Sequence, residues 1–255
     1  MLSVTPIPAF SDNYIWLLRQ DASQKVCVVD PGDAAPVMEV LEREALELET
    51  VLITHHHHDH TGGLEELIKR YSPKVIGPDN PAIAGITQTV GEGDEVRVMG
   101  RLFEVMATPG HTLDHISFFT PSIPSLLFCG DTLFCAGCGR LFEGTPEQLY
   151  HSLRRFAELP EETLVFAAHE YTQANLTFAR EADPDNDEVA SALEDCRRAR
   201  EAERPTLPST IGRELNINPY LRVHTASVRK AAAAQGADDS DLATFTTLRE
   251  WKNRF

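Results

Sequence analysis

The chain has 255 residues, of which 42% are hydrophobic and 24% are charged, a composition typical of a globular protein with one large core or a core and a small second domain. Its formal net charge of −16 disfavours general binding to nucleic acids and to anionic membranes. The N-terminus lacks the basic start and apolar run of a signal peptide, and no stretch approaches the ~18 apolar residues of a membrane span, so we expect a cytoplasmic protein. We also expect a monomer.

Strands alternate with helices over the first two thirds of the chain. A helix capped by Asp33 is predicted to bury Val37, Val40 and Leu41, and a second helix is predicted over 64–71. A capping box at Thr145, with Pro146 at the first helical position, begins a third helix that buries Leu149, Leu153 and Phe156. Strands are predicted at 26–30, 50–54, 115–119, 125–130 and 163–168, with a hairpin over 95–107.

The type of predicted secondary structure changes near residue 172. Beyond it we predict no strand, only helices interrupted by Pro205, Pro208, Gly212, Pro219 and Gly236. The pattern therefore indicates an α/β domain over residues 1–171, followed by a small helical domain over residues 172–255.

The segment THHHHDHTGG at 54–63 offers His55, His57, Asp59 and His60 as metal ligands, with His56 and His58 as spacers. Imidazole and carboxylate groups suit zinc, iron or manganese. An affinity tag is the alternative, but a tag would lie at a terminus, whereas this motif lies between an apolar strand and a helix.

Four apolar runs each end on a candidate ligand. They lead to His55, His111, Asp131 and His169, which predicts that one edge of a sheet gathers these side chains. Three other histidines lack this placement, and we interpret them as non-ligands: His115, His151 and His224. The five irregularly spaced cysteines indicate reduced thiols, and a redox or zinc site at Cys135 and Cys138 is a weaker alternative.

These motifs resemble the metallo-β-lactamase superfamily and, within it, the glyoxalase II (hydroxyacylglutathione hydrolase) family. The resemblance covers essentially the whole chain and rests on NYIWLL, VDPGD, THHHHDHTGG, TPGHT, GDTLF, GCGRLFEGT, AHEYT and a terminal R-x-x-K. It implies an αββα sandwich that carries catalysis, followed by a helical domain that helps to bind substrate. It also implies hydrolysis of the thioester S-D-lactoylglutathione to glutathione and D-lactate, the second step of methylglyoxal detoxification.

The resemblance further implies two divalent ions per chain, zinc in the first place, with iron or manganese as alternatives. His55, His57 and His111 would hold one ion and Asp59, His60 and His169 the other, with Asp131 and a nucleophilic hydroxide bridging them; Asp59 and Asp131 are thus the implied catalytic carboxylates. Substrate contacts are implied for Arg140, Phe142, Tyr171, Arg249 and Lys252. Two residues depart from the family pattern: Asp114 replaces a usual glycine, and Phe142 replaces a tyrosine found in some relatives.

Two metals sharing a water can generate a nucleophile at neutral pH, and a thiol of pKa ~8.5 leaves without a strong acid. No G-x-S-x-G nucleophile elbow is present. Arg249 and Lys252, at i and i+3, would meet the glutathione carboxylates, although cations also suit a helix C-terminus.

Three alternative functions are considered: a persulfide dioxygenase, another hydrolase of the same fold (an exported β-lactamase or a nuclease), and a non-enzymatic metal-binding module.

Overall fold

A six-stranded sheet opens the computed structural model, which describes residues 2–255. Its strands pair in chain order. The first, second and third strands are antiparallel neighbours, and from the third strand to the sixth all neighbours are parallel. The strands are β1 (Leu2–Ala9), β2 (Asn13–Gln20), β3 (Lys25–Val29), β4 (Glu47–Leu52), β5 (Lys74–Gly77) and β6 (Gln88–Thr89).

Two amphipathic helices cover one face of this sheet. Asp33 caps α1 (Ala34–Arg43) by accepting from the Ala35 amide, and Val37 and Leu41 join one apolar cluster with Leu64 and Leu67 of α3 (Leu64–Tyr71). The four-residue helix α2 (His58–Thr61) lies between β4 and α3. The predicted boundaries of α3 are confirmed, and so is the burial of Val37 and Leu41 on α1, whereas Val40 is half-buried against the same cluster.

A second, antiparallel set of strands has the order β10-β9-β8-β7. These strands are β7 (Glu95–Val98), β8 (Arg101–Ala107), β9 (Ile116–Thr120) and β10 (Leu126–Gly130). Met99 and Gly100 both have positive φ in the predicted hairpin turn, and every residue of β9 and β10 is buried. A backbone bond from the Ile116 amide to the Thr54 carbonyl, 2.9 Å long, joins β9 to the end of the first sheet's β4 segment.

The chain divides into two compact units. The first unit comprises residues 1–107 and 114–130, and the second comprises residues 108–113 and 131–255. This division differs from the sequence-predicted boundary at 171/172, which stays a prediction about domains.

The second unit is mainly helical. Its elements are β11 (Leu133–Phe134), β12 (Gly137–Cys138), α4 (Pro146–Ala157), β13 (Leu164–Ala167), α5 (Thr172–Ala182), α6 (Asp187–Glu201), β14 (Ser209–Thr210), α7 (Ile211–Ile217), α8 (Ala226–Ala234) and α9 (Asp241–Arg254). The capping box of α4 is confirmed: Thr145 accepts from the Gln148 amide at 3.2 Å, and Gln148 accepts from the Thr145 amide at 2.9 Å. Phe245 of α9 packs on Tyr220, which in turn stacks on Phe178 of α5, and the three rings form an aromatic cluster.

Two sequence predictions for this unit are wrong. Strands do not end before residue 172, because Ser209 and Thr210 pair antiparallel with Val165 and Leu164 of β13. A two-residue strand is too short to show an alternating pattern. Gly212 does not interrupt a helix; it lies in the first turn of α7, where its amide bonds to the Glu161 carbonyl at 2.9 Å.

Among residues 2–255, no helix combines the length and the apolar character required to cross a bilayer.

Candidate metal centre

The histidine-rich motif, residues 54–63, follows β4 and includes α2. His55 and His60 are fully buried, with ring centroids 4.1 Å apart, and the His57 ring lies 4.8 Å from His55. His115, interpreted from sequence as a non-ligand, stacks on His55 with centroids 4.8 Å apart. The motif therefore forms a packed imidazole cluster rather than a solvated loop.

Asp30, at the end of β3, orients this cluster. Parallel strands bring their carboxyl ends to the same sheet edge, so Asp30 meets Thr54 at the end of the neighbouring β4 segment. The Asp30 carboxylate accepts from the Thr54 amide at 2.8 Å and from the Thr54 hydroxyl at 2.7 Å. Nδ1 of His60 lies 3.0 Å from Asp30 Oδ2, and Nδ1 of His55 lies 3.0 Å from the Thr54 hydroxyl.

This network assigns the tautomers of both rings. Because the Thr54 hydroxyl donates its proton to Asp30, it accepts from His55 Nδ1, and the Asp30 carboxylate likewise accepts from His60 Nδ1. Nε2 therefore carries the lone pair in both neutral rings. An imidazole whose Nδ1–H is fixed by a carboxylate or a hydroxyl is the arrangement that suits a metal-ligating histidine.

Asp59 and the spacer His56 also make hydrogen bonds within the first unit. Asn13 of β2 donates to the Asp59 carboxylate at 3.1 Å and approaches the Asp59 carbonyl at 3.3 Å. His56 Nδ1 lies 2.9 Å from Asp114, whose second carboxylate oxygen accepts from Asn80 at 2.8 Å. Asp114, the departure from the family pattern, thus takes part in a hydrogen-bonded bridge to the spacer histidine.

The second unit holds the remaining predicted ligands: His111, Asp131 and His169. Nε2 of His111 lies 3.3 Å from Asp131 Oδ2, and Nε2 of His169 lies 3.3 Å from Asp131 Oδ1. All three side chains are buried. His111 Nδ1 donates to the Arg140 carbonyl at 2.7 Å, which leaves the lone pair of the neutral ring on Nε2.

These residues fit a divalent cation. Nε2 of His111, which carries the lone pair, faces the buried Asp131 carboxylate, and a lone pair facing a carboxylate is unfavourable unless a cation neutralises the contact. Nitrogen and carboxylate donors with no thiolate are typical of zinc, iron or manganese sites. The chain therefore has the ligand chemistry of a divalent metal protein.

Three of the predicted substrate-binding residues are exposed beside these ligands. The Phe142 ring stands edge-on to His111 with centroids 5.2 Å apart, and the Arg140 guanidinium lies 5.6 Å from the centre of the Phe142 ring. Tyr171 stacks on His169 with centroids 4.7 Å apart and an interplanar angle of 4°. The second unit thus presents a cation and two aromatic rings next to His111 and His169.

Arg249 and Lys252 on α9 have different surroundings. Arg249 is buried and donates to the Cys138 carbonyl at 2.8 Å. Lys252 is half-buried, donates to the Ala174 carbonyl at 3.0 Å and lies 5.3 Å from the centre of the Phe178 ring. Burial, and secondarily the Arg249 charge, lowers the pKa of Lys252.

The cysteines offer little support for a redox or zinc pair. All five are free and buried. Burial raises the pKa of Cys138 to about 11 and holds that of Cys135 well above its usual range. Both thiols are therefore protonated at neutral pH, whereas a reactive or metal-binding cysteine needs the thiolate.

Sequence reasoning missed Asp30, Thr54 and Asn13 as residues that orient the ligands. Asp30 was recognisable, because the apolar run of β3 ends on it in the same way that four other runs end on their ligands. No local signal distinguishes Thr54 or Asn13.

The chain matches two family models in succession. Residues 10–169 match the metallo-beta-lactamase superfamily, and residues 170–255 match the hydroxyacylglutathione hydrolase C-terminus. The αββα fold followed by a helical C-terminal region, predicted from the sequence, is thereby confirmed.

Curated relatives match over their full length. The chain is 66% identical over 255 residues to a hydroxyacylglutathione hydrolase of Chromohalobacter salexigens, covering 100% of both chains. It is 52% identical over 254 residues to that of Idiomarina loihiensis, covering 99% of both. Among solved structures, ETHE1 from Myxococcus xanthus superposes with a TM-score of 0.68 at 28% identity, over 98% of this chain and 90% of that one.

Proposed function

The chain belongs to the hydroxyacylglutathione hydrolase family of the metallo-β-lactamase superfamily, and from this premise we propose that it hydrolyses S-D-lactoylglutathione, and related 2-hydroxyacylglutathione thioesters, to glutathione and the free hydroxy acid. The observation that carries the proposal is the buried Asp131 carboxylate, whose two oxygens face Nε2 of His111 and Nε2 of His169 at 3.3 Å each. A carboxylate so placed suits two cations at once.

We propose two divalent ions per chain, zinc in the first place. One would be held by His55, His57 and His111, the other by Asp59, His60 and His169, with Asp131 shared between them. When bound, such a pair supplies Lewis acidity, which lowers the pKa of a shared water and stabilises negative charge on a carbonyl oxygen. The hydrogen bonds from His55, His60 and His111 through Nδ1 would keep their Nε2 atoms directed at the ions.

The chain's own groups would orient the substrate. Arg140 offers a cation for a glutathione carboxylate, while the exposed Phe142 and Tyr171 rings flank His111 and His169 and would pack against the acyl-thioester portion. Lys252 offers a second cation on the terminal helix. Arg249 on the same helix, predicted from the sequence to contact glutathione, is a third candidate cation. The strongly acidic chain needs such local cations, because glutathione itself carries two carboxylates.

Hydrolysis of a thioester does not require a strong general acid. Its thiolate leaving group, with a conjugate-acid pKa of ~8.5, departs without protonation by a strong acid, so orientation and charge stabilisation suffice. Five free, buried cysteines support a reducing compartment, and we propose a cytoplasmic location.

Metal analysis of the purified protein, paired with an S-D-lactoylglutathione hydrolysis assay under anaerobic conditions, tests the proposal. We expect two metal ions per chain and metal-dependent thioester loss that a chelator abolishes. Oxygen uptake with glutathione persulfide, in the absence of thioester hydrolysis, would instead favour a dioxygenase. Metal binding with no turnover of either substrate would indicate a non-enzymatic metal-binding module.

A further inference from the structure

Glu170 lies between a candidate metal ligand and a candidate substrate-binding residue, in the segment that joins β13 to α5. The rings of its two neighbours, His169 and Tyr171, stack at a centroid distance of 4.7 Å. Only 8% of the Glu170 side chain is exposed. A buried carboxylate must find hydrogen-bond donors, and the donors of this one come from a distant part of the chain.

Thr206 supplies two of these donors from the connection between α6 and β14. Its amide donates to Oε2 of Glu170 at 2.8 Å, and its hydroxyl donates to Oε1. Because that hydroxyl proton is used, the Thr206 oxygen accepts from the hydroxyl of Thr172, 2.6 Å away at the start of α5. Arg200 of α6 adds an ion pair with Oε2 of Glu170 at 3.7 Å. Both carboxylate oxygens are therefore bound to the end of α6 or to the connection that follows it.

The two rings beside Glu170 are closely packed. The Phe134 ring stands edge-on to His169 and to Tyr171, with centroid distances of 5.8 and 5.2 Å. The Tyr171 carbonyl accepts from the Asn175 amide at 2.9 Å, at the beginning of α5. Because the two rings contact each other and Phe134, a backbone shift at Glu170 would displace both of them.

We infer that Glu170 is a positioning residue, which Thr206 holds in place and which fixes the backbone that carries His169 and Tyr171. One buried side chain thereby affects metal binding through His169 and binding of the thioester through Tyr171. These two consequences rest on the proposed function, whereas the bonds between Glu170 and Thr206 are independent of metal and substrate.

Glu170→Ala, compared with Glu170→Gln, tests the inference in the full-length, zinc-loaded protein. Alanine leaves the Thr206 amide without this acceptor, whereas glutamine keeps a carbonyl oxygen for the amide and an NH2 group that can donate to the Thr206 hydroxyl. Three properties are measured: hydrogen–deuterium exchange of the peptide spanning 168–175, zinc affinity by competition with a chromophoric chelator, and kcat and KM with S-D-lactoylglutathione.

We expect Glu170→Ala to accelerate exchange in this peptide, to weaken zinc binding about tenfold and to raise KM about three- to tenfold. Glu170→Gln should stay within about twofold of the wild type in zinc affinity and KM. Thr206→Val should change all three properties in the same direction as Glu170→Ala but by less, and Thr206→Ser, which keeps the hydroxyl, should not. Glu201→Ala removes an exposed glutamate at the end of α6 and is the control, with wild-type values expected throughout.

A folded Glu170→Ala protein with a lower Tm, but with wild-type exchange, zinc affinity and KM, would overturn the inference, because Glu170 would then stabilise the fold without positioning the site. Should Glu170→Ala fail to fold, Thr206→Val decides the question, since it removes one hydroxyl and keeps the amide bond to Glu170. Wild-type values for a folded Thr206→Val protein would likewise overturn the inference.

These readouts separate the inference from the proposed function. If the wild type lacks thioesterase activity, the proposed function fails, while exchange and zinc affinity still decide whether Glu170 positions the segment that carries His169 and Tyr171.

Discussion

Oδ2 of Asp30 lies 3.0 Å from Nδ1 of His60, and both side chains are buried. The same carboxylate accepts two bonds from Thr54, whose hydroxyl in turn fixes the His55 ring. Asp30 itself has a φ of 53°, a backbone conformation that few non-glycine residues adopt. One carboxylate that follows β3 thus orients two imidazoles, His55 before α2 and His60 within it.

Asp30→Asn should weaken metal binding about 10- to 100-fold, because an amide cannot accept from Thr54 and His60 as the carboxylate does. Chelator competition measures the affinity, and kcat should fall with it. Asp33→Asn is the matched control, since Asp33 caps α1 three residues later and asparagine caps a helix equally well. Equal metal affinity for Asp30→Asn and the wild type would remove Asp30 from the centre.

Asp131→Ala should abolish turnover and lower the metal content, because it removes the carboxylate that faces both His111 and His169. Elemental analysis and kcat measure the two effects. His56→Ala should be far milder than His57→Ala, since His56 Nδ1 is bonded to Asp114. A folded Asp131→Ala protein with two metals and near-normal kcat would refute the shared-carboxylate arrangement.

Lys252→Ala should raise KM roughly ten- to a hundredfold and change kcat much less, because a charge-assisted hydrogen bond contributes about 1.5–3 kcal/mol. Added salt should raise the wild-type KM by screening the contact. Since burial lowers the pKa of Lys252, KM should also begin to rise at a lower pH than an exposed lysine would give. Arg254→Ala, an exposed cation on the same helix, is the control, and a KM unchanged by Lys252→Ala would leave the lysine only its bond to Ala174.

Glu214→Gln should gain stability relative to the wild type as pH rises. Burial raises the pKa of Glu214 above its usual value, so its protonated form favours folding below the unfolded pKa, and this contribution is lost as pH rises through the folded pKa. The neighbouring Cys135 thiol stays protonated throughout, because its own pKa is raised well above the usual range. Urea unfolding of both proteins from pH 4.5 to 8 measures the difference, and a difference that does not vary with pH would contradict the expectation.

Local signals determined most of the secondary structure and the ligand list. The capping box at Thr145, the cap at Asp33 and the apolar spacing of α4 are interactions between residues a few positions apart, so they can be read directly from sequence. The candidate ligands were recognisable because apolar strands end on them. The short strand β14 was not, since two residues carry no periodicity. Its partners in β13 are distant in sequence: Leu164 pairs with Thr210, and Val165 pairs with Ser209.

Only the tertiary structure decided which polar groups support those ligands. Asp30 meets His60 across 30 residues, Glu214 meets the Ala136 amide across 78, and Arg249 meets the Cys138 carbonyl across 111. A buried donor or acceptor must find a partner, but the sequence does not specify which distant group the folded chain brings within hydrogen-bonding distance. Folding made that choice and thereby brought the Arg249 guanidinium to the Cys138 carbonyl.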